Sequence, residues 1–126
     1  MKEIISFINS HKNGCLATVE DGQPRVRPWA FMLEDGGKFW FCTANNKDVF
    51  KQLKQNPQIE FTSWESFNIL RLSGKVTFSD DFKMKAKIME SSPGPKHFYQ
   101  NPENPLFEIF YLDHGKATLS GKTYEF

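Results

Sequence analysis

The hydrophobic period of the chain changes several times, and each change marks an element. Ile4, Ile5, Ile8 and His11 recur at helical spacing, which predicts a short amphipathic helix stopped by Gly14. Strand-like alternation follows. CLATV (15–19) reads as one strand, EDGQP (20–24) as its turn and RVRPWAFML (25–33) as a second strand. Pro28 has no N–H to give to a central ladder, so this strand needs an edge or a bulge there. The turn EDGG (34–37) leads into a third strand, KFWFCT (38–43), and two successive hairpins predict an antiparallel meander.

The helical period returns in NNKDVFKQLKQNP (45–57), where Val49, Phe50 and Leu53 share a face, Asn45 or Asn46 can cap, and Pro57 lies just beyond. QIEFTSW (58–64) alternates again, with Ile59 and Phe61 on one side, and FNILRLSGKVTFS (67–79) is a longer strand bent or bulged at Gly74. DDFKMKAKIMES (80–91) predicts a helix capped by Asp80, with Phe82 and Met89 on its apolar stripe. SPGPKHFYQNPENP (92–105) predicts a loop with about one helical turn. LFEIFYLD (106–113) and KATLSG (116–121) predict a closing hairpin around His114 and Gly115. Roughly seven strands, two or three short helices and mostly antiparallel neighbours imply a mainly β, α+β fold, a small barrel either closed or partly open. No repeat or linker divides residues 1–126, so one domain is expected.

Composition narrows the function more than the fold. Thirteen Phe residues in 126 imply a Phe-rich core or an aromatic surface kept for a ligand or partner. A net charge of +1 gives no reason to expect nucleic acid or an anionic membrane as partner. No apolar run approaches the ~18 residues needed to span a bilayer, and the opening residues are unlike a secretory signal. Cys15 and Cys42 form no CxxC pair and read as reduced thiols of a cytoplasmic protein. GxGxxG, Walker A, GxSxG and HExxH are all missing, and His11, His97 and His114 lack metal-ligand spacing.

Two stretches carry candidate chemistry. Arg25, Arg27, Trp29 and Phe31 alternate onto one face of the second strand. That face reads either as fixed cations for a phosphate or as an edge strand whose arginines snorkel over aromatic neighbours. TANNK (43–47) leaves a strand and enters a helix, so free backbone N–H groups meet the Thr43 hydroxyl, the Asn46 amide and the Lys47 charge. Taken alone it could be a plain N-cap; beside the arginine strand it makes a convergent anion site. Phe107, Phe110 and Tyr111 could line a planar ligand but are expected in the core, and Cys42 is expected as a packed thiol.

With these words in this order — RVRP, then FCT about fifteen residues on, then a helix ending in NP — the chain resembles the FMN-binding split barrel of the pyridoxamine 5'-phosphate oxidase-like superfamily. The similarity runs from the first strand through LRLSGKV to NPLFEIFYL. The resemblance implies an antiparallel six-stranded split β-barrel that forms a homodimer, with FMN in clefts between the subunits. It places Arg25, Val26, Arg27, Pro28 and Trp29 along the cofactor, with Arg27 the best match to the phosphate-binding arginine and Arg25 the second. Cys42, Thr43, Asn46, Lys47 and Val49 fall at the ribityl phosphate, Gln52 lies one turn further on, and Asn68 falls on the strand contributed by the partner.

Met32 stands where the true oxidases have lysine, and the chain stops before their basic C-terminal segment. The resemblance is therefore to the short general-stress-protein and nitroimidazole-reductase-like members rather than to a pyridoxamine phosphate oxidase. The implied function is an FMN-dependent oxidoreductase passing electrons from a reduced nicotinamide to a small-molecule acceptor, with no side chain singled out as catalytic. The alternatives are a flavin-binding stress or redox-sensing protein without turnover, and a haem-binding relative using His97 or His114 as axial ligand.

Overall fold

The computed structural model describes residues 1–126, in which ten strands form two antiparallel sheets and four helices cover them. After α1 (Lys2–Ser10), β1 (Asn13–Glu20) pairs with β2 (Gln23–Ala30) through a two-residue Asp21–Gly22 turn in which both φ angles are positive. β3 (Leu33–Asp35) and β4 (Lys38–Ala44) form the next hairpin, and α2 (Asp48–Gln55) follows. β5 (Gln58–Glu65), β6 (Asn68–Lys75) and β7 (Thr77–Ser79) lead to α3 (Phe82–Ser91) and α4 (Pro93–Tyr99). The chain closes with β8 (Phe107–Leu112), β9 (Lys116–Leu119) and β10 (Lys122–Glu125). The larger sheet runs β10-β9-β6-β5-β1-β2 and the smaller β3-β4-β8-β7.

The expected meander is split between the sheets, because the second strand changes sheet between adjacent residues. Phe31 N–H donates to Lys12 O at 2.8 Å, while Met32 N–H donates to Trp40 O at 3.0 Å in the smaller sheet. The long strand 67–79 divides in the same way. Val76 N–H reaches Pro57 O at 2.9 Å, and Thr77 then pairs with Tyr111. Gly74 is not a bulge, since its register with Ile59 is unbroken. It is a close approach instead: a Cβ there would lie 2.5 Å from His114 O. The closing hairpin also differs. β8 pairs with β4 and β7, whereas β9 pairs with β6 and β10, so the terminal hairpin is β9–β10, turning at Ser120 and Gly121.

Helix ends shift by a residue or more where side chains are already engaged. α1 stops at Ser10, and Gly14 lies inside β1. α2 has Lys47 at its N-cap, because Asn45 Nδ2 donates to Pro105 O and to the Glu108 carboxylate. Asp81 rather than Asp80 caps α3, accepting from Lys83 N–H and Met84 N–H. The stretch expected as loop with one turn forms the seven-residue α4, opened by Pro93.

Between the sheets, Phe31, Phe39, Phe41, Phe61 and Phe110 pack with Leu16, Leu70 and Leu72, while Ile4 and Ile8 of α1 and Val49 and Leu53 of α2 join the same cluster. A second cluster fills the far side of the smaller sheet, where Trp40, Phe107 and Ile109 meet Ile88 and Met89 of α3 and Tyr99 of α4. β4 is therefore covered on both faces, which explains its almost unbroken apolar run. Phe67, Phe82 and Phe98 remain exposed, so the Phe excess serves both core and surface. No helix is long and apolar enough to cross a membrane.

Candidate functional site

β2 is the edge strand of the larger sheet, as Pro28 requires. Its inner face emerges gradually from the core: Phe31 is buried, Trp29 and Arg27 are half-buried, and Arg25 is exposed. Val26, on the opposite face, is 70% exposed. The β1–β2 register sets Leu16 opposite Arg27 and Thr18 opposite Arg25.

That register builds a cage around Arg27. Its guanidinium donates to Leu16 O at 3.2 Å, Thr18 Oγ1 at 2.8 Å and Gln52 Oε1 at 2.7 Å. Thr18 Oγ1 also donates to Gln52 Oε1 at 2.5 Å, and both of these side chains are buried. All three acceptors are neutral, and no carboxylate lies within ion-pair distance of Arg27. Burial lowers its pKa, with the nearby Asp48 opposing that shift. Arg27 is thus a rigidly held cation without a contact counter-ion. Arg25 differs: its Nε lies 3.1 Å from Glu20 Oε1 in a solvent-exposed pair.

The start of α2 stands across from this strand. Buried Val49 ties the first turn to the core, Gln52 lies one turn further on, and Lys47 and Asn46 are exposed before it. No side chain caps the helix, so its first N–H groups keep their donor capacity. Arg25, Arg27 and Lys47, with Glu20 and Asp48, line an open cleft of about 770 Å³ between strand and helix. A smaller compartment of about 250 Å³ shares Pro28, Trp29 and Lys47 with it and continues to Met32, Cys42 and Thr43.

Of the residues that the resemblance places at the cofactor, all except Asn68 line one of these two spaces. Asn68 begins β6, is exposed, and accepts from Ser120 Oγ at 3.1 Å. Phe107 and Phe110 are core, Tyr111 packs on Trp40 with ring centroids 4.7 Å apart, and none of the three lines either space. His97 and His114 are exposed and lie outside both. Burial pushes the Cys42 thiol up to about 12, with Lys47 opposing, so it is a protonated thiol rather than a nucleophile at neutral pH.

Four buried side-chain polar atoms have no partner within the chain: Trp29 Nε1, Trp40 Nε1, Thr43 Oγ1 and Ser63 Oγ. Thr43 Oγ1 and Trp29 Nε1 are buried without hydrogen bonds, a loss of about 1–3 kcal/mol each unless a ligand or water relieves it. Of the four, Thr43 and Trp29 belong to residues of the smaller compartment, and Trp40 and Ser63 line neither space. Fixed cations, free helix N–H groups and orphaned donors suit a ligand with one anionic end and a flat polar body. Sequence reasoning missed Thr18 and the α4 wall of Gly94, Pro95, Phe98 and Tyr99. The Asp-Gly turn was a usable signal for the first, since a two-residue hairpin sets the pairing of Leu16 and Thr18 with the arginines.

A family model described as pyridoxamine 5'-phosphate oxidase matches residues 1–119. General stress protein 26 of Bacillus subtilis (strain 168) is 22% identical over 117 residues, covering 89% of this chain and 81% of that protein. The crystal structure of a NimC/NimA family protein from Clostridium acetobutylicum superposes with a TM-score of 0.90 at 31% identity, covering 100% of this chain and 93% of that one. Two more distant structures share the fold. One is a pyridoxamine 5'-phosphate oxidase-related, FMN binding protein from Nostoc punctiforme PCC 73102, with TM-score 0.69, 18% identity and coverage of 91% and 77%. The other is a heme binding protein from Mycobacterium smegmatis, with TM-score 0.77, 17% identity and coverage of 98% and 56%. With the family model matched over nearly its whole length and a NimC/NimA protein alike from end to end, this chain belongs to the pyridoxamine 5'-phosphate oxidase family.

Proposed function

We propose that the protein is an FMN-binding flavoprotein, an oxidoreductase that passes electrons from a reduced nicotinamide to a small-molecule acceptor. The observation that carries this reading is Arg27, caged by three neutral acceptors at the wall of the cleft. A cation held in place without a counter-ion is prepared for an anion, and charge-assisted bonds to phosphate are the strong ones. Arg27, Lys47 and Asn46, with the first N–H groups of α2, hold the ribityl phosphate, and Arg25 is a second, solvent-exposed cation. Backbone groups of 28–32 and the orphaned Thr43 and Trp29 donors orient the ring. Bound FMN supplies the hydride chemistry; the chain binds the cofactor, orients it and excludes water. His97 and His114 lie outside the cleft, which supports flavin over haem.

The two sheets, joined where the chain crosses at 31–32 and at 76, make a split barrel of the FMN-binding type, and the protein works as a homodimer. Supporting the dimer, Trp64, Phe67 and Ile69 are 52%, 99% and 47% exposed around the β5–β6 turn, next to Asn68. A second copy covering them would bring Asn68 to the neighbouring site. Free Cys15 and Cys42 suit a reducing, cytoplasmic setting.

The test is a spectrum of protein purified after incubation with FMN, followed by NADH or NADPH under argon. A yellow protein bleached by the nicotinamide and reoxidised by an added acceptor is the expected result. A colourless protein that takes up no FMN would sink the cofactor assignment. A yellow protein that never bleaches would leave a flavin binder without turnover.

A further inference from the structure

The larger sheet has one covered face and one bare face. Side chains alternate along its strands, and every buried residue of β1, β5 and β6, among them the cross-strand set Leu16, Phe61 and Leu72, points to the shared core. No residue on the opposite face is buried. That outer face is apolar along much of its length. Trp64 and Ile69 form an exposed cross-strand pair, and exposed Val26 continues through Ala17 to Glu60. The next row runs from Pro28 through Cys15 and Thr62 to Arg71. Glu60 and Arg71 are therefore diagonal neighbours on adjacent strands, and neither forms an ion pair within the chain. With Trp64 and Ile69 they line an open groove of about 440 Å³.

We propose that a second copy of this chain seats on this face in one register, in which Arg71 pairs with Glu60 of the partner subunit and Glu60 with Arg71 of the partner subunit. The inference rests on the homodimer proposed above and specifies how its two copies meet. A two-fold interface sets one patch against itself, so an axis crossing midway between Glu60 and Arg71 lays each over its opposite charge. One unpaired charge of each sign on an apolar face suits that self-match, whereas a partner of strong net charge finds no complementary field here. The apolar side chains supply the attraction, and the two charge pairs exclude other registers. Val26 and Pro28 belong both to this face and to the larger cleft, so a copy seated here also borders the cleft.

Sedimentation velocity of the purified protein is the test. Wild type is expected to run as a dimer. Glu60→Lys and Arg71→Glu each set like charges face to face twice, and each should raise the dimer Kd about a hundredfold. An equimolar mixture of the two variants should dimerise like wild type, because a chain with two cations then faces a chain with two carboxylates. An effect confined to one chain is not rescued by mixing. If either single variant fails to fold, the double variant carrying Glu60→Lys with Arg71→Glu decides, since it exchanges the charges and should dimerise like wild type. Single variants as tightly dimeric as wild type, or a mixture without rescue, would overturn this register and leave the homodimer standing. A wild type that stays monomeric would refute the homodimer itself, and this inference with it. The measurement needs no bound flavin, so loss of the FMN assignment would not touch it.

Discussion

Gln52→Glu replaces an amide by a carboxylate of the same length at the centre of the Arg27 cage. Gln52 Oε1 is 2.7 Å from Arg27 Nη2 and 2.5 Å from Thr18 Oγ1, and the residue is only 5% exposed. Both hydrogen bonds survive the exchange, but the guanidinium gains a partner of full opposite charge. For the cofactor-free protein, the new attraction and the desolvation of the carboxylate largely offset each other, so stability should change by roughly 1 kcal/mol or less. FMN affinity should fall much further. If the Arg27 charge is what the phosphate engages, compensating it removes about 1.5–3 kcal/mol of charge-assisted bonding, or about 10- to 150-fold in Kd. Flavin fluorescence titration measures the affinity, and thermal unfolding of the FMN-free protein measures the stability. A Gln52→Glu protein that melts like wild type and still binds FMN with wild-type affinity would show that the uncompensated Arg27 charge is not the phosphate anchor.

Arg27→Ala and Lys47→Ala should each weaken FMN binding by about 1–3 kcal/mol in calorimetric titration, whereas Arg25→Ala, already paired with Glu20 in solvent, should weaken it by less than about 1 kcal/mol; a larger loss at Arg25 would move the phosphate outward along the strand. The Cys42 thiol, raised from 9.0 to about 12 by burial, keeps its proton in the folded state after the unfolded chain has released it. Its contribution is therefore intact below pH 9 and lost at about 1.4 kcal/mol per pH unit as pH rises from 9 towards 12. Urea unfolding between these pH values should show a shallower decline for Cys42→Ala than for wild type, and identical slopes would refute the assignment. Gly14→Ala would place a Cβ 1.9 Å from Thr62 O across β1 and β5. It should cost about 2–3 kcal/mol in urea unfolding, and a neutral result would mean that the two strands separate easily there.

The caged arginine also bears on how a small protein keeps an uncompensated charge beside its core. Leu16 O, Thr18 Oγ1 and Gln52 Oε1 together replace the water that the guanidinium loses, so the charge is solvated by fixed dipoles rather than neutralised. A carboxylate in the same place would satisfy the donors equally well but would compete with any incoming anion.

Side-chain alternation and helical spacing are local properties of the backbone, and the sequence by itself determined what depends on them. Arg27 and Phe31 share the inner face of one strand, Val26 turns away, and Lys47 stands at the entrance to a helix anchored by Val49 and Leu53. Pro28 marks an edge strand because a missing N–H has the same consequence in any sheet. Which sheet a strand joins is not local. RVRPWAFML alternates without interruption, yet the chain leaves one sheet at Phe31 and enters the other at Met32, and β8 and β9 part company in the same way. Tertiary structure alone decided these crossings, because they follow from closing two sheets over a shared Phe-rich core, where burial rewards distant pairings that no short window contains. It also decided that α4 supplies a wall, and that Thr18 and Gln52, 34 positions apart, meet on Arg27 to turn an arginine on an edge strand into a fixed and unpaired charge.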